Sequence, residues 1–223
     1  VMRAAPTVAA ALMTAEKQGL KNFSVLSAHK LLPPALGALL AGPDLGLSGF
    51  LCPGHVTTVI GTACYEPVAS DYGLPCVVAG FEPADVLGAI LMLVKQVEAG
   101  ESKVEIAYQR AVKPEGNPAA VALMNRFFEP VDAPWRGLGI IPASGLAIRP
   151  EFAHLDAAKR FDVSVPPAQD HPGCRCGDVL RGLITPPECK LFNTVCAPST
   201  PVGPCMVSAE GTCAAWHRYR RED

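Results

Sequence analysis

The chain has 223 residues, 49% of them hydrophobic and 18% charged, a composition too apolar for a disordered polypeptide and sufficient for a compact globular protein of one to three domains. Its formal charge is -2, and its one gathering of basic residues, Arg218, Arg220 and Arg221, is too small to mark a nucleic-acid or anionic-membrane surface. No uninterrupted apolar stretch reaches the roughly 20 residues that a membrane helix requires.

The opening reads as the interior of a longer protein, because a helix is expected over residues 8–20 with no capping residue before it. Residues 3–15 imitate a signal peptide in their Ala-rich run, but they continue directly into Glu16, Lys17 and a helix end at Gly19. Residues 23–27 (FSVLS) form a short β-rich run, followed by Pro33, Pro34 and a helical stretch at 35–40. Residues 47–51 (LSGFL) run into Cys52-Pro53-Gly54-His55 and a helix at 56–61. Residues 75–80 (PCVVAG) run into Glu82-Pro83 and a helix at 84–98, on which Val86, Ile90, Val94 and Val97 share one face. Each of these turns carries proline near the helix start, where its missing N–H is harmless.

This βαβα order predicts an α/β fold with a Rossmann-like parallel sheet and helices on its faces. Such sheets bind ligands at the carboxyl ends of their strands, which makes His29, Cys52, His55 and Glu82 candidates for a cleft. A strand at 104–107 and a helix at 119–128 follow. Residues 137–148 (GLGIIPASGLAI) then read as two short strands around 142–145, with a helix at 151–161. The expected division is an α/β domain at 1–108, a connecting α/β segment at 109–165 and a cysteine module at 166–223. No P-loop or strict GxGxxG fingerprint is present.

Of nine cysteines, Cys52, Cys64 and Cys76 are scattered and six lie between Cys174 and Cys213. Around those six, Pro166, Pro167, Pro172, Pro186, Pro187, Pro198, Pro201 and Pro204 leave room for little regular structure beyond a short helix at 178–183. A segment this irregular is held together by metal ligation more readily than by a core. Structural zinc sites usually pair cysteines two to four residues apart, whereas the spacings from Cys189 onward are wider and Cys174-Arg175-Cys176 is tighter. Thiolates from separated turns suit a [4Fe–4S] cluster; zinc and a set of disulfides are the alternatives. Cys64 and Cys76 read as core residues, Cys76 lying inside the strand CVVAG.

The strings GCRCGDVLRGLI, CKLF and PVGPCMVSAEGTCAAW resemble the C-terminal signature of the HypD family, and FSVLSAHKLLPPA, GFLCPGHVTTVIG and VVAGFEPADVL resemble its central α/β region. The likeness runs over essentially the whole chain. It implies a cytoplasmic accessory protein that works with HypC and HypE to build the Fe(CN)2CO group of [NiFe] hydrogenase, with two α/β domains flanking a cleft and a [4Fe–4S] module. The family spacing falls on Cys174, Cys189, Cys196 and Cys213 as cluster ligands. Cys176 and Cys205, left over, resemble the family's redox-active pair; otherwise they are buried thiols or substitute ligands. The CPGH turn brings His55 and Cys52 forward as cleft residues that approach iron. Family members carry upstream a CGGH-like turn and a CPVC-like pair, neither found in this sequence, and their FETTAP-like string is represented by Val1-Met2-Arg3-Ala4-Ala5-Pro6-Thr7. A second functional class consistent with these residues is a cluster-linked dithiol oxidoreductase of the ferredoxin–thioredoxin reductase type; a third is a structural zinc module that docks a partner.

Overall fold

The computed structural model describes residues 2–42, 44–162 and 170–220. The chain divides into two compact units: Val1–Pro34, Ser48–Val131 and Ala143–Val163 make the first, and Ala35–Leu47, Asp132–Pro142 and Ser164–Asp223 the second. The expected boundary between 165 and 166 lies outside the described residues. The second unit gathers residues 35–47 and 132–142 around the Cys-rich segment. Among the described residues no helix is long and apolar enough to cross a membrane.

The first unit opens with α1 (Ala5–Lys17) and β1 (His29–Lys30), after which α2 (Leu32–Leu40) leads the chain into the second unit. The chain returns through β2 (Phe50–Pro53), α3 (Gly54–Ile60), α4 (Glu66–Tyr72), β3 (Cys76–Ala79), α5 (Pro83–Ala99), β4 (Val104–Ile106) and α6 (Pro118–Phe127). A hairpin of β5 (Phe128–Trp135) and β6 (Gly139–Ile148) follows, then α7 (Ala157–Arg160).

The expected parallel sheet is present in the order β2-β3-β4, with Phe50 opposite Cys76, Cys52 opposite Val78 and Cys76 opposite Val104. All four residues of β3 are buried, as the central strand of a parallel sheet covered on both faces must be. Strand alternation sends Val77 and Ala79 to one face, where they pack with Ala89, Met92 and Leu93 of α5. Cys52, Cys76 and Val78 turn to the other face. The apolar row along one face of α5 is not the face that packs on the sheet: Ile90, Val94 and Val97 are 41%, 45% and 49% exposed. Ala89 and Gln96 are the residues α5 buries. Ala89 admits the sheet closely, and the Gln96 amide is satisfied by accepting from the Lys103 N–H at 2.9 Å and donating to Glu105 at 2.5 Å.

The sheet is not all parallel. A second, antiparallel sheet runs β1-β6-β5, with His29 opposite Leu146 and Lys30 opposite Gly145. The residues read as two short strands around 142–145 belong to one long strand, because the chain reverses earlier, where Gly137 and Gly139 take φ of +82° and +80°. Of the β-rich run at 23–27 only Val25 pairs, in an isolated bridge to Asp156. The helix expected at 151–161 is a 3-10 turn, Pro150–Leu155, followed by α7, whose start is set by Asp156 accepting from the Ala158 N–H at 3.0 Å.

The core of the first unit lies between α1, α6 and the hairpin. Ala5, Ala9, Leu12 and Ala15 form the buried stripe of α1 and meet Met124, Phe127, Phe128, Ile148, Phe152 and Leu155. The small residues of α1 let α6 approach closely, and Phe127 stacks on Phe152 with centroids 4.5 Å apart.

Candidate functional site

The core of the second unit is made largely of sulfur. Cys176, Val179, Cys196, Cys205, Met206, Cys213 and Ala214 form one buried cluster, with Cys174, Ile184, Leu191, Phe192 and Val202 packed against it. All nine cysteines are free thiols.

Short elements deliver each thiol. Cys176 is the first residue of α8 (Cys176–Leu180), which Asp178 braces by accepting from Arg175 at 2.7 Å and from Arg181 at 2.8 Å. Arg175 beside it holds the Asp178 carboxyl below its ordinary range. Cys189 follows a 3-10 turn, Pro186–Glu188, opened by a capping box in which Glu188 accepts from the Thr185 N–H at 2.6 Å and its hydroxyl at 2.8 Å. Cys196 lies beyond a turn in which Asn193 takes φ of 54°. Its own N–H donates to the Leu191 carbonyl at 2.8 Å, and its Sγ accepts from the Val202 N–H at 3.3 Å. Cys205 stands near the start of α9 (Pro204–Val207) and Cys213 near the start of α10 (Thr212–Tyr219).

All six of these cysteines line one narrow, partly open chamber, walled further by Val179, Leu191, Phe192 and Met206, with about 10 Å³ of free space. That is at the limit for a single water. Within it Cys205 Sγ donates to Cys213 Sγ at 3.0 Å. The neighbouring Cys205 thiol and then burial push the Cys176 thiol far above its ordinary range. Cys205 is pushed up to about 12: the neighbouring Cys176 thiol pulls its pKa down, but the bond to Cys213 and burial outweigh it. Gly203 lies so close that a Cβ there would stand 2.6 Å from Cys174 Sγ. The donor set is entirely soft, with an N–H aimed at sulfur, which fits iron–sulfur chemistry. Among the described residues, no three His, Cys, Asp or Glu side chains are arranged as the ligands of one metal ion.

In the first unit the other candidates fall in two places. His55, second residue of α3, has its Nδ1 2.8 Å from Arg3 Nη1 and its ring 4.3 Å from that of Phe81. Since a guanidinium has no acceptor, Nδ1 must accept, and the imidazole proton sits on Nε2. Glu82 is the N-cap of α5 and lies 3.4 Å from Arg110, which Asp85 grips through both carboxylate oxygens. Gly54 leaves room for Tyr108, whose ring would be 2.7 Å from a Cβ there. His29 is not at the end of a parallel strand: it lies in the antiparallel pair, with Nδ1 3.1 Å from Ser27 Oγ and its ring edge on Phe128, and burial lowers its pKa.

Cys52 is buried on the sheet face away from α5, its Sγ donating to the Phe50 carbonyl at 3.9 Å and that of Cys76 to the Leu74 carbonyl at 3.8 Å. The neighbouring Cys76 thiol, then burial, push the Cys52 thiol far up, while the same neighbour holds Cys76 low. Cys64, half-buried, is pushed up to about 11 by burial. The pairing of Arg3 with His55 across 52 residues had no signal in the sequence.

A family model described as HypD, "Hydrogenase formation hypA family", matches residues 3–220. The chain belongs to the HypD family. It is 49% identical over 223 residues to the hydrogenase maturation factor HypD of Rhizobium leguminosarum bv. viciae, covering 97% of this chain and 58% of that protein. To the HypD of Escherichia coli K12 it is 44% identical over 219 residues, covering 98% of this chain and 59% of the relative. To a putative hydrogenase expression/formation protein of Methanocaldococcus jannaschii it is 44% identical over 217 residues, covering 97% and 60%. The chain thus spans about three-fifths of the length of these HypD-family relatives.

Proposed function

We propose that this chain is the part of a HypD-family maturation protein that holds a [4Fe–4S] cluster and works a dithiol beside it, in the cytoplasm, while the Fe(CN)2CO group of [NiFe] hydrogenase is assembled as cargo with HypC-type and HypE-type partners. The observation that carries this reading is the convergence of all six module cysteines on one chamber. Cys174, Cys189, Cys196 and Cys213 are assigned as cluster ligands, leaving Cys176 and Cys205 as neighbouring thiols in the same chamber. When bound, the cluster supplies one-electron transfer. Cys176 and Cys205 together give up two electrons and two protons on closing a disulfide, so the dithiol stores twice what the cluster passes in one step.

His55 and Cys52 are proposed as one wall of the iron site. His55 is the more reachable of the two, half-buried where Cys52 is 3% exposed. A role of the ferredoxin–thioredoxin reductase type is less well supported, since attack on a protein disulfide needs an accessible thiolate, and Cys176 and Cys205 are 3% and 7% exposed.

The test is anaerobic purification with iron and sulfide analysis and visible absorption. Alanine at Cys174, Cys189, Cys196 or Cys213 should abolish the brown chromophore, whereas alanine at Cys176 or Cys205 should leave it. A ligand variant with a normal cluster, or zinc in place of iron and sulfide, would overturn the assignment. Mass mapping of alkylated thiols before and after mild reduction should show Cys176 and Cys205 becoming accessible together.

A further inference from the structure

The tip of the β5–β6 hairpin belongs to the second unit and bears on its thiols. Gly137 lies against Cys176: a Cβ on Gly137 would stand 3.6 Å from Cys176 Cβ and 3.7 Å from its Sγ. Gly177 approaches in turn, so that its own Cβ would come 2.7 Å from the Gly137 carbonyl. Two open hollows flank this contact. One of about 320 Å³ is bordered by Gly137, Asp170, Cys174 and Arg175, and one of about 230 Å³ by Leu39, Gly42, Gly137 and Arg181. The hairpin tip is therefore a thin wall between solvent and a buried thiol.

Arg136 holds that wall in place. Its Nη2 donates to the Val202 carbonyl at 2.7 Å, and its Nε lies 3.5 Å from Asp170 Oδ1. The other oxygen of Asp170 accepts from the Gly137 N–H at 2.9 Å. Val202 is also the residue whose N–H donates to Cys196 Sγ at 3.3 Å, and its neighbour Gly203 abuts Cys174. One guanidinium thus joins the hairpin tip to the backbone that touches two of the six sulfurs.

We infer that Arg136 is the positioning residue of the thiol chamber, setting the Val202 N–H on Cys196 and keeping the hairpin tip closed over Cys176. The rigid fork of arginine reaches carbonyl and carboxylate at once, which the single ammonium of lysine does not. The part of this inference that concerns cluster potential rests on the function proposed above. A donor to a ligand sulfur favours the more negatively charged, reduced cluster, so its displacement makes reduction harder.

The experiment compares the full chain with its Arg136→Ala and Arg136→Lys variants under anaerobic conditions. It follows the rate of N-ethylmaleimide labelling at each cysteine by mass mapping, and the cluster midpoint potential by redox titration. In Arg136→Ala, Cys176 should label at least tenfold faster while Cys64, in the first unit, labels at an unchanged rate. Arg136→Lys should fall between, and the potential should move to more negative values. An unchanged Cys176 rate, an unchanged potential in a loaded protein, or an equal acceleration at Cys64 would each overturn the assignment. If the parent chain takes up no cluster, the proposed function fails by itself, and the Cys176 labelling rate still decides the role of Arg136.

Discussion

Gly203 shows how tightly single positions are constrained around the thiols. Its missing side chain lets Cys174 Sγ come within the space a Cβ would fill, with Cys205 Sγ 3.9 Å away. Gly203→Ala should force Cys174 outward and destabilise the second unit by about 1–3 kcal/mol, the usual cost of overpacking. Thermal unfolding should show the loss, and the iron-to-protein ratio should fall with it. The sequence announced the six cysteines and their spacing, and this glycine sits in the PVGPC string that carries the family resemblance. What it withheld was which sulfurs meet: the Cys205 to Cys213 contact at 3.0 Å depends on Gly211 bringing α9 and α10 together, a matter of three-dimensional packing.

At the level of elements, the α1–α6 pair is where the first unit concentrates its apolar burial. Phe127 is fully buried, stacked on Phe152 and wrapped by the alanines of α1. Phe127→Ala should cost about 3–5 kcal/mol, read as a lower denaturant midpoint with the slope unchanged. The strand-to-helix units at β2, β3 and β4 were legible because proline and glycine mark their turns and β3 is a continuous apolar run. The β5–β6 hairpin was not, because its prolines speak against strands: Pro130 and Pro134 lie on β5, an edge strand where a missing N–H is tolerated, and Pro142 lies on β6 outside the two residues that pair with β1. The row on α5 was legible as a shared face, but periodicity identifies an apolar face without saying what covers it.

For the molecule as a whole, acid groups raised by desolvation in the first unit set an alkaline limit. Cys64 is pushed up to about 11 by burial from an ordinary value of 9.0, and Tyr65 is raised as well, chiefly by burial. A raised acid group contributes stability in full below its unfolded pKa. That contribution is lost as pH climbs toward the folded pKa, because the unfolded chain ionises first. The low-lying Cys76 offsets part of the effect. Stability should therefore hold to about pH 9 and decline toward about pH 11, and urea midpoints in reductant should fall over that window. The decline should be shallower in Cys64→Ala.

The second unit is assembled from three stretches of chain, residues 35–47, 132–142 and 164–223. On a ribosome adding roughly 5–20 residues per second, the first two emerge well before Cys213 exists. A nascent chain must therefore carry the hairpin tip, with Arg136 and Gly137, as an unfinished socket through several seconds of synthesis. Cys213, whose helix closes the chamber, comes last. Loading of any metal held by all four assigned ligands must therefore wait until Cys213 has been made, and a stalled chain ending before residue 213 would present the earlier thiols open to oxidants and to the wrong metal.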